Sequence, residues 1–220
     1  MDTSENTITT AQLLGALNWR YATKKFDASK KIPAETWAAL EKALVLSPSA
    51  FGLQPWKFFV VNDPAVRARL IEASYGQTQP ADASHFVVFA LRKNIGDEYL
   101  DNYLRRAAQV RGVPAETLKP FRQAIESSIE QQAKAGVLDI SQAQQSFIAL
   151  GQFMTSAALL GIDTCALGGI DREKYAELLG LDRESHMPLV ACAAGYRAAD
   201  DKYSSIPKVR FEDSEVITHV

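Results

Sequence analysis

A chain of 220 residues, 47% of them hydrophobic, can bury a sizeable core, and nothing in its composition indicates disorder. Its formal net charge of −2 supplies no overall basic field for nucleic acid or an anionic membrane surface, so a phosphate-bearing partner has to be met by a local cluster of cations. No uncharged apolar run reaches the roughly 18 residues that would cross a bilayer, and the polar N-terminus "MDTSENTITT" lacks the apolar stretch of a secretory signal.

Residues 1–10 are expected to form a loose tail. After them "TTAQLLGALNW" places Leu13, Leu14 and Leu17 on one helical stripe, with Thr9 or Thr10 as N-cap. Pro33 opens a second helix whose Trp37, Leu40 and Leu44 repeat at helical spacing until Pro48 stops it. "SPSAFGLQPW" then reads as a loop leading into a buried strand, "KFFVV". "NDPAVRARLIEAS" predicts a helix capped by Asn62 or Asp63, and "HFVVFAL" a second buried strand.

Residues 96–161 carry almost no strand signal and divide into three helices. The last, "DISQAQQSFIALGQFMTSAALLG", is apolar around most of its circumference, as in a large core or a subunit interface. A strand ("IDTCAL"), a short helix ("REKYAELLG"), a strand ("PLVACAAGY") and a polar tail complete the chain. The irregular alternation of strands and helices predicts a single α+β domain over residues 1–220, with one sheet packed under many helices.

Conventional catalytic signatures are missing. His85, His186 and His219 have no metal-ligand spacing to one another or to a cysteine. There is no G-x-S-x-G elbow, P-loop or G-x-G-x-x-G after a strand. Cys165 and Cys192 lie inside apolar runs and read as small buried hydrophobes, which fits a reducing cytoplasm. What stands out is the placing of cations. Arg20 and Lys24 share a face if a helix or turn continues there, and Lys208 and Arg210 share one if their segment is extended. Either pair alone also fits a solvated surface.

Together, these stretches resemble the FMN-dependent nitroreductases. "RYATKKFD" is similar to that family's Arg-x-Ser/Ala-x-Lys-x-Phe signature. "SPSAFGLQPWKFFVV" is similar to its Ser-Pro-Ser-Ser-x-Asn-x-Gln-Pro-Trp-x-Phe segment, "DASHFVVFAL" to its Ala-Ser-His-Val-Val strand, and "IPKVRF" to its Pro-Lys-x-Arg. The nearest branch in pattern is the oxygen-insensitive NAD(P)H nitroreductases and dihydropteridine reductases.

The resemblance implies a homodimer built on a central, mostly antiparallel sheet surrounded by helices, with two FMN sites at the subunit interface. It implies an NADH- or NADPH-dependent oxidoreductase that passes hydride through flavin N5 to nitroaromatics or quinones by a ping-pong mechanism. A flavin-binding storage or sensor protein without general reductase activity is the alternative. By matching position, Arg20, Tyr21, Ala22 and Lys24 fall in the segment that meets the FMN phosphate and the pyrimidine end of the ring, and Lys208 and Arg210 match the C-terminal phosphate and ribityl contacts. Pro48, Ser49, Ala50 and Gly52 match the segment the other subunit lays against the ring. Ala166, Leu167, Gly168 and Gly169 match the loop behind it. Ala50 and Gly52 stand where the family has Ser and Asn. Gly76 and Gln79 stand where it has Asn and Lys, leaving Gln79 to hydrogen-bond the pyrimidine edge.

Overall fold

The computed structural model describes residues 7–220. Helix α1 (Thr10–Trp19) starts on a reciprocal cap: Gln12 N–H donates to Thr9 Oγ1 (3.2 Å) and Thr9 N–H donates to Gln12 Oε1 (2.9 Å). Of the expected tail, residues 1–6 lie outside the described residues, while Thr9 and Thr10 already belong to the cap and the helix. None of the α1 side chains is buried, so the stripe of Leu13 and Leu14 faces outward on this chain.

Helix α2 (Ala34–Val45) buries Trp37, Leu40 and Leu44, as their spacing predicts. Strand β1 (Trp56–Val60) follows, then helix α3 (Pro64–Ala73), whose cap Asp63 accepts from Ala65 N–H at 2.8 Å. A short helix α4 (Gln79–Asp82) leads into strand β2 (His85–Arg92). The helical stretch then divides into α5 (Asp97–Arg111), α6 (Lys119–Lys134) and α7 (Leu138–Leu159). Strand β3 (Asp163–Leu167), helix α8 (Arg172–Leu178), strand β4 (His186–Gly195) and helix α9 (Asp213–Val216) complete it.

The strands form one sheet in the order β1-β2-β4-β3, and every neighbouring pair is antiparallel. Because strand side chains alternate, the unbroken apolar run of β2 feeds two cores. Val87, Phe89 and Leu91 pack with Leu40 and Leu44 of α2 and with Leu150 and Phe153 of α7. Phe86 and Val88 point to the opposite face, against Leu70 of α3 and Tyr175 of α8. Burying a phenylalanine is worth about 1.5–3 kcal/mol, and Phe86 and Phe89 are both fully buried. The β2–β4 register shifts beside Phe89, and Pro188 lies at that irregularity, where a residue without an N–H donor is tolerated in a central strand.

Helix α7 buries Ala149, Leu150, Phe153, Ala157 and Ala158, but Phe147, Ile148, Leu159 and Leu160 are exposed. Helices α5 and α6 make a satellite core with Leu53, Leu100 and Ile125. Arg122 of α6 binds Asp97 (2.9 Å), Asp101 and Glu126 (2.6 Å), holding the two helices together.

Candidate functional site

The cationic segment begins where α1 ends. Arg20 is extended (φ −69°, ψ 142°), and the backbone beyond it is captured by distant partners. Thr23 N–H donates to the Thr164 carbonyl of β3 (3.2 Å), and Ala22 forms a parallel bridge with Thr164. The helical alternative for Arg20 and Lys24 is therefore not realised. The chain instead bends at Lys24 and Lys25, and Arg20, Tyr21, Ala22 and Lys24 all line one cleft.

Two buried carboxylates fix this run. Asp201 accepts from the Tyr21 hydroxyl (2.9 Å), from the N–H groups of Lys24 (3.0 Å) and Lys25 (3.2 Å), and from Tyr203 N–H (3.1 Å). Burial pushes its carboxyl pKa up, but the hydrogen bonds from Tyr203, Lys25, Tyr21 and Lys24 outweigh that and hold it below the usual value. Burial and the bond to Asp201 raise the Tyr21 pKa to about 12, so its hydroxyl stays a donor. Asp163 takes Arg197 as a fork, with Nη2 2.5 Å from Oδ1 and Nε 3.1 Å from Oδ2, and also accepts Arg197 N–H (2.9 Å). The same guanidinium lies over the rings of Trp19 (4.3 Å) and Tyr21 (4.5 Å).

On this frame opens a cleft of about 400 Å³ lined by Arg20, Tyr21, Ala22, Lys24, Lys208 and Arg210, with Trp19 and Tyr203 among its walls. Among the described residues its lining contains four cationic side chains and no carboxylate. Burial lowers the pKa of Lys208, and the charges of Arg20 and Arg210 lower it further. Lys208 Nζ also donates to the Leu17 carbonyl. An arrangement of like charges that repel one another is suited to an anion, above all a phosphate with several acceptor oxygens.

The remaining expected residues lie outside this lining. Gly168 and Gly169 are exposed just beyond β3, a short step along that strand from the Ala22–Thr164 bridge. Ala166 is exposed, but Leu167 turns its side chain into the core, leaving only backbone to face a ligand there. Gln79 is buried, and its Oε1 has no partner among the described residues.

Pro48, Ser49, Ala50 and Gly52 lie elsewhere on the chain. Ser49 Oγ accepts from Gln54 N–H (2.8 Å), and Ala50 N–H donates to Gln145 Oε1 of α7 (2.9 Å). Phe51, Gly52 and Gln54 all have positive φ (56°, 71° and 51°). Tyr103 of α5 donates to the Phe51 carbonyl (2.6 Å) and Tyr99 to that of Leu53 (2.6 Å). A Cβ on Gly52 would sit 2.9 Å from the Tyr103 hydroxyl, so backbone conformation and space both favour glycine.

The cysteines are buried, as their apolar surroundings predict. His85 stacks on Trp37 at 3.9 Å between ring centroids, and no cluster of potential metal ligands occurs among the described residues. Cys165 and Cys192 are buried free thiols whose pKa values burial raises. No helix among the described residues is long and apolar enough to cross a membrane.

A family model described as the nitroreductase family matches residues 17–196. The chain belongs to the nitroreductase family. Among its relatives is a Staphylococcus aureus protein provisionally named an NAD(P)H nitroreductase, 36% identical over 201 residues, 86% of this chain and 87% of the relative. A Staphylococcus saprophyticus protein named in the same way is 36% identical over 214 residues, 93% and 95% of the two chains. The fold matches a nitroreductase-like protein from Streptococcus mutans (TM-score 0.84, 17% identity, 96% of this chain and 100% of that one). It also matches a provisionally assigned nitroreductase from Exiguobacterium sibiricum solved in complex with FMN (TM-score 0.79, 23% identity, 98% and 100%).

For this nitroreductase family member, the residues that sequence reading missed are the ones that hold the cleft together. Asp201 stands in "AADDKY", which looks like the start of a polar tail, and its one local signal is that it caps the turn at Lys202–Ser205. Asp163 and Arg197 are 34 positions apart, and only the antiparallel pairing of β3 with β4 brings them together.

Proposed function

We propose that residues 1–220 form one FMN-binding domain of a cytoplasmic, homodimeric NAD(P)H oxidoreductase that reduces nitroaromatics or quinones. The observation that carries this is the convergence of Arg20, Lys24, Lys208 and Arg210 on one cleft with no carboxylate among its described lining residues. A flavin phosphate bears about −1.5 to −2 charges if it titrates as other phosphomonoesters do. The donor set fits: Arg20, Lys208 and Arg210 would hold the phosphate and ribityl chain, and Lys24 would serve the pyrimidine end, where a cation favours the reduced ring. FMN bound there would supply the redox chemistry that links NADH or NADPH to the acceptor in a ping-pong cycle.

The protein's part is binding, orientation and exclusion of water. Gly168 and Gly169 present backbone without a Cβ, and nothing lies within 4 Å of where a Cβ on Gly168 would stand. The unpartnered Gln79 Oε1 offers an acceptor for an N–H of the pyrimidine edge. The segment Pro48–Gly52 closes the site of the other subunit. Support for the dimer comes from apolar side chains left uncovered on one chain: Leu14 of α1, Phe147 and Ile148 of α7, and Val209 and Phe211 near the C-terminus.

The absorbance spectrum of the purified protein with added FMN tests the cofactor. A protein-bound flavin spectrum, lost in an Arg20→Ala, Arg210→Ala double variant, is expected. Protein that gains no absorbance with FMN rejects the proposal. Turnover of NADH or NADPH with menadione or nitrofurazone is expected of the loaded protein, and no turnover with any pairing removes the acceptor assignment.

A further inference from the structure

The contacts of Asp201 extend beyond the cleft's lining, and we infer that this carboxylate is a positioning residue, a latch that assembles the anion site from the two ends of the chain. This rests on the cleft being the FMN site. One oxygen, Oδ2, receives the Tyr21 hydroxyl and the N–H groups of Lys24 and Lys25; the other, Oδ1, receives Tyr203 N–H. Oδ2 thus holds the N-terminal segment that carries Arg20 and Lys24, while Oδ1 holds the turn that leads to Lys208 and Arg210. The two segments are about 180 residues apart in sequence, and the Tyr21 bond alone spans 180 positions.

Both segments carry positive charge toward the same cleft, so without ligand they repel. A buried carboxylate between their backbones opposes that repulsion and lies outside the cleft's lining, so it does not compete for the anion. Every partner of Asp201 in this set is a donor, and no single amide orientation at this position could accept from all of them. The latch therefore requires a carboxylate. It also fixes the backbone of Lys24 and, through it, the position of the side chain nearest the proposed pyrimidine end.

The test compares the wild-type chain with Asp201→Ala and with Tyr21→Phe, a milder variant that deletes a single hydroxyl. Hydrogen exchange in peptides covering residues 21–26 and 202–208 is read without cofactor. FMN affinity is read by quenching of flavin fluorescence, and the flavin midpoint potential is read on loaded protein. In Asp201→Ala both segments should lose protection together, the FMN dissociation constant should rise at least about tenfold, as expected for lost hydrogen bonds to a charged group, and the potential should become more negative as Lys24 moves. Tyr21→Phe should show the same two-segment pattern to a smaller degree.

Loss of protection confined to 202–208 in either variant, or an unchanged FMN affinity and potential, overturns the latch. If the wild-type chain binds no FMN, the cofactor assignment fails, while the exchange pattern still decides whether Asp201 joins the two segments.

Discussion

Replacing Arg197 with methionine is the sharpest test of what holds the cleft in shape. The methionine stem keeps apolar contact with Trp19 and Tyr21 but removes the guanidinium from a carboxylate that is 3% exposed. Asp163 would retain the backbone N–H of residue 197 at 2.9 Å and Thr23 Oγ1 at 3.4 Å, too little to balance a buried charge. Removing one member of a buried pair costs about 3–5 kcal/mol. Two rings at 4.3 and 4.5 Å from the cation add about 0.5–1 kcal/mol each. These terms total about 4–7 kcal/mol; the side chain of Arg197 is 24% exposed, so solvent screening brings the expected loss below that range, to about 3 kcal/mol. At about 2–4 °C per kcal/mol for a chain of this size, Tm should fall by roughly 6–12 °C.

Urea unfolding of the single variant, of Asp163→Asn and of the pair provides the cycle. Asp163→Asn in the Arg197→Met background should restore part of the loss, because it removes the uncompensated charge. A loss below about 1 kcal/mol, or costs that simply add in the pair, would refute the claim that the buried carboxylate depends on this guanidinium.

Two further outcomes follow from local geometry. Gly52→Ala forces a side chain into φ +71° and against the Tyr103 hydroxyl, at a cost of about 1–2 kcal/mol for the left-handed conformation alone. Gly52→Asn should cost less, since asparagine tolerates that region, and thermal melts that rank Ala equal to or milder than Asn contradict this account. Burial, with the charges of Arg67 and Lys31, lowers the His85 pKa from 6.5 to about 4. The unfolded chain then takes up a proton before the folded one, so stability present above pH 6.5 is lost as pH falls toward 4 and levels off below it. His186 is shifted in the same direction, so His85→Gln should reduce the slope of the urea midpoint between those pH values without abolishing it. An unchanged slope would mean that His85 is not its source.

How much of this was legible in the sequence varied with the range of the interaction that decided each feature. "HFVVFAL" announced a strand buried on both faces because every side chain from Phe86 to Leu91 is apolar, and β2 is that strand. The leucines of α1 announced an apolar face but not its cover, because helical periodicity says nothing about which partner lies opposite. The end of α1 at Trp19 could be read from where "TTAQLLGALNW" stops, and the structure ends it there. What captures the chain beyond it, the edge of β3 and the carboxylate of Asp201, could not, because both are far away in the chain. Of the site, the paired cations could be picked out by spacing, and their union in one cleft required the fold. Gly52 looked like the loss of a polar partner, and the structure gives a nearer reason in its backbone angle and the hydroxyl above it.

The three positive-φ residues between Phe51 and Gln54 keep their shape because Tyr99 and Tyr103 grip the carbonyls of Phe51, Leu53 and Gln54 from α5, some 45–52 positions later in the chain. Loop and helical excursion therefore constitute one exchangeable cassette. A chimera that imports residues 47–56 from a relative without its residues 97–134 would carry the letters of that loop but not its form, and diversity sought in one should be sampled jointly with the other.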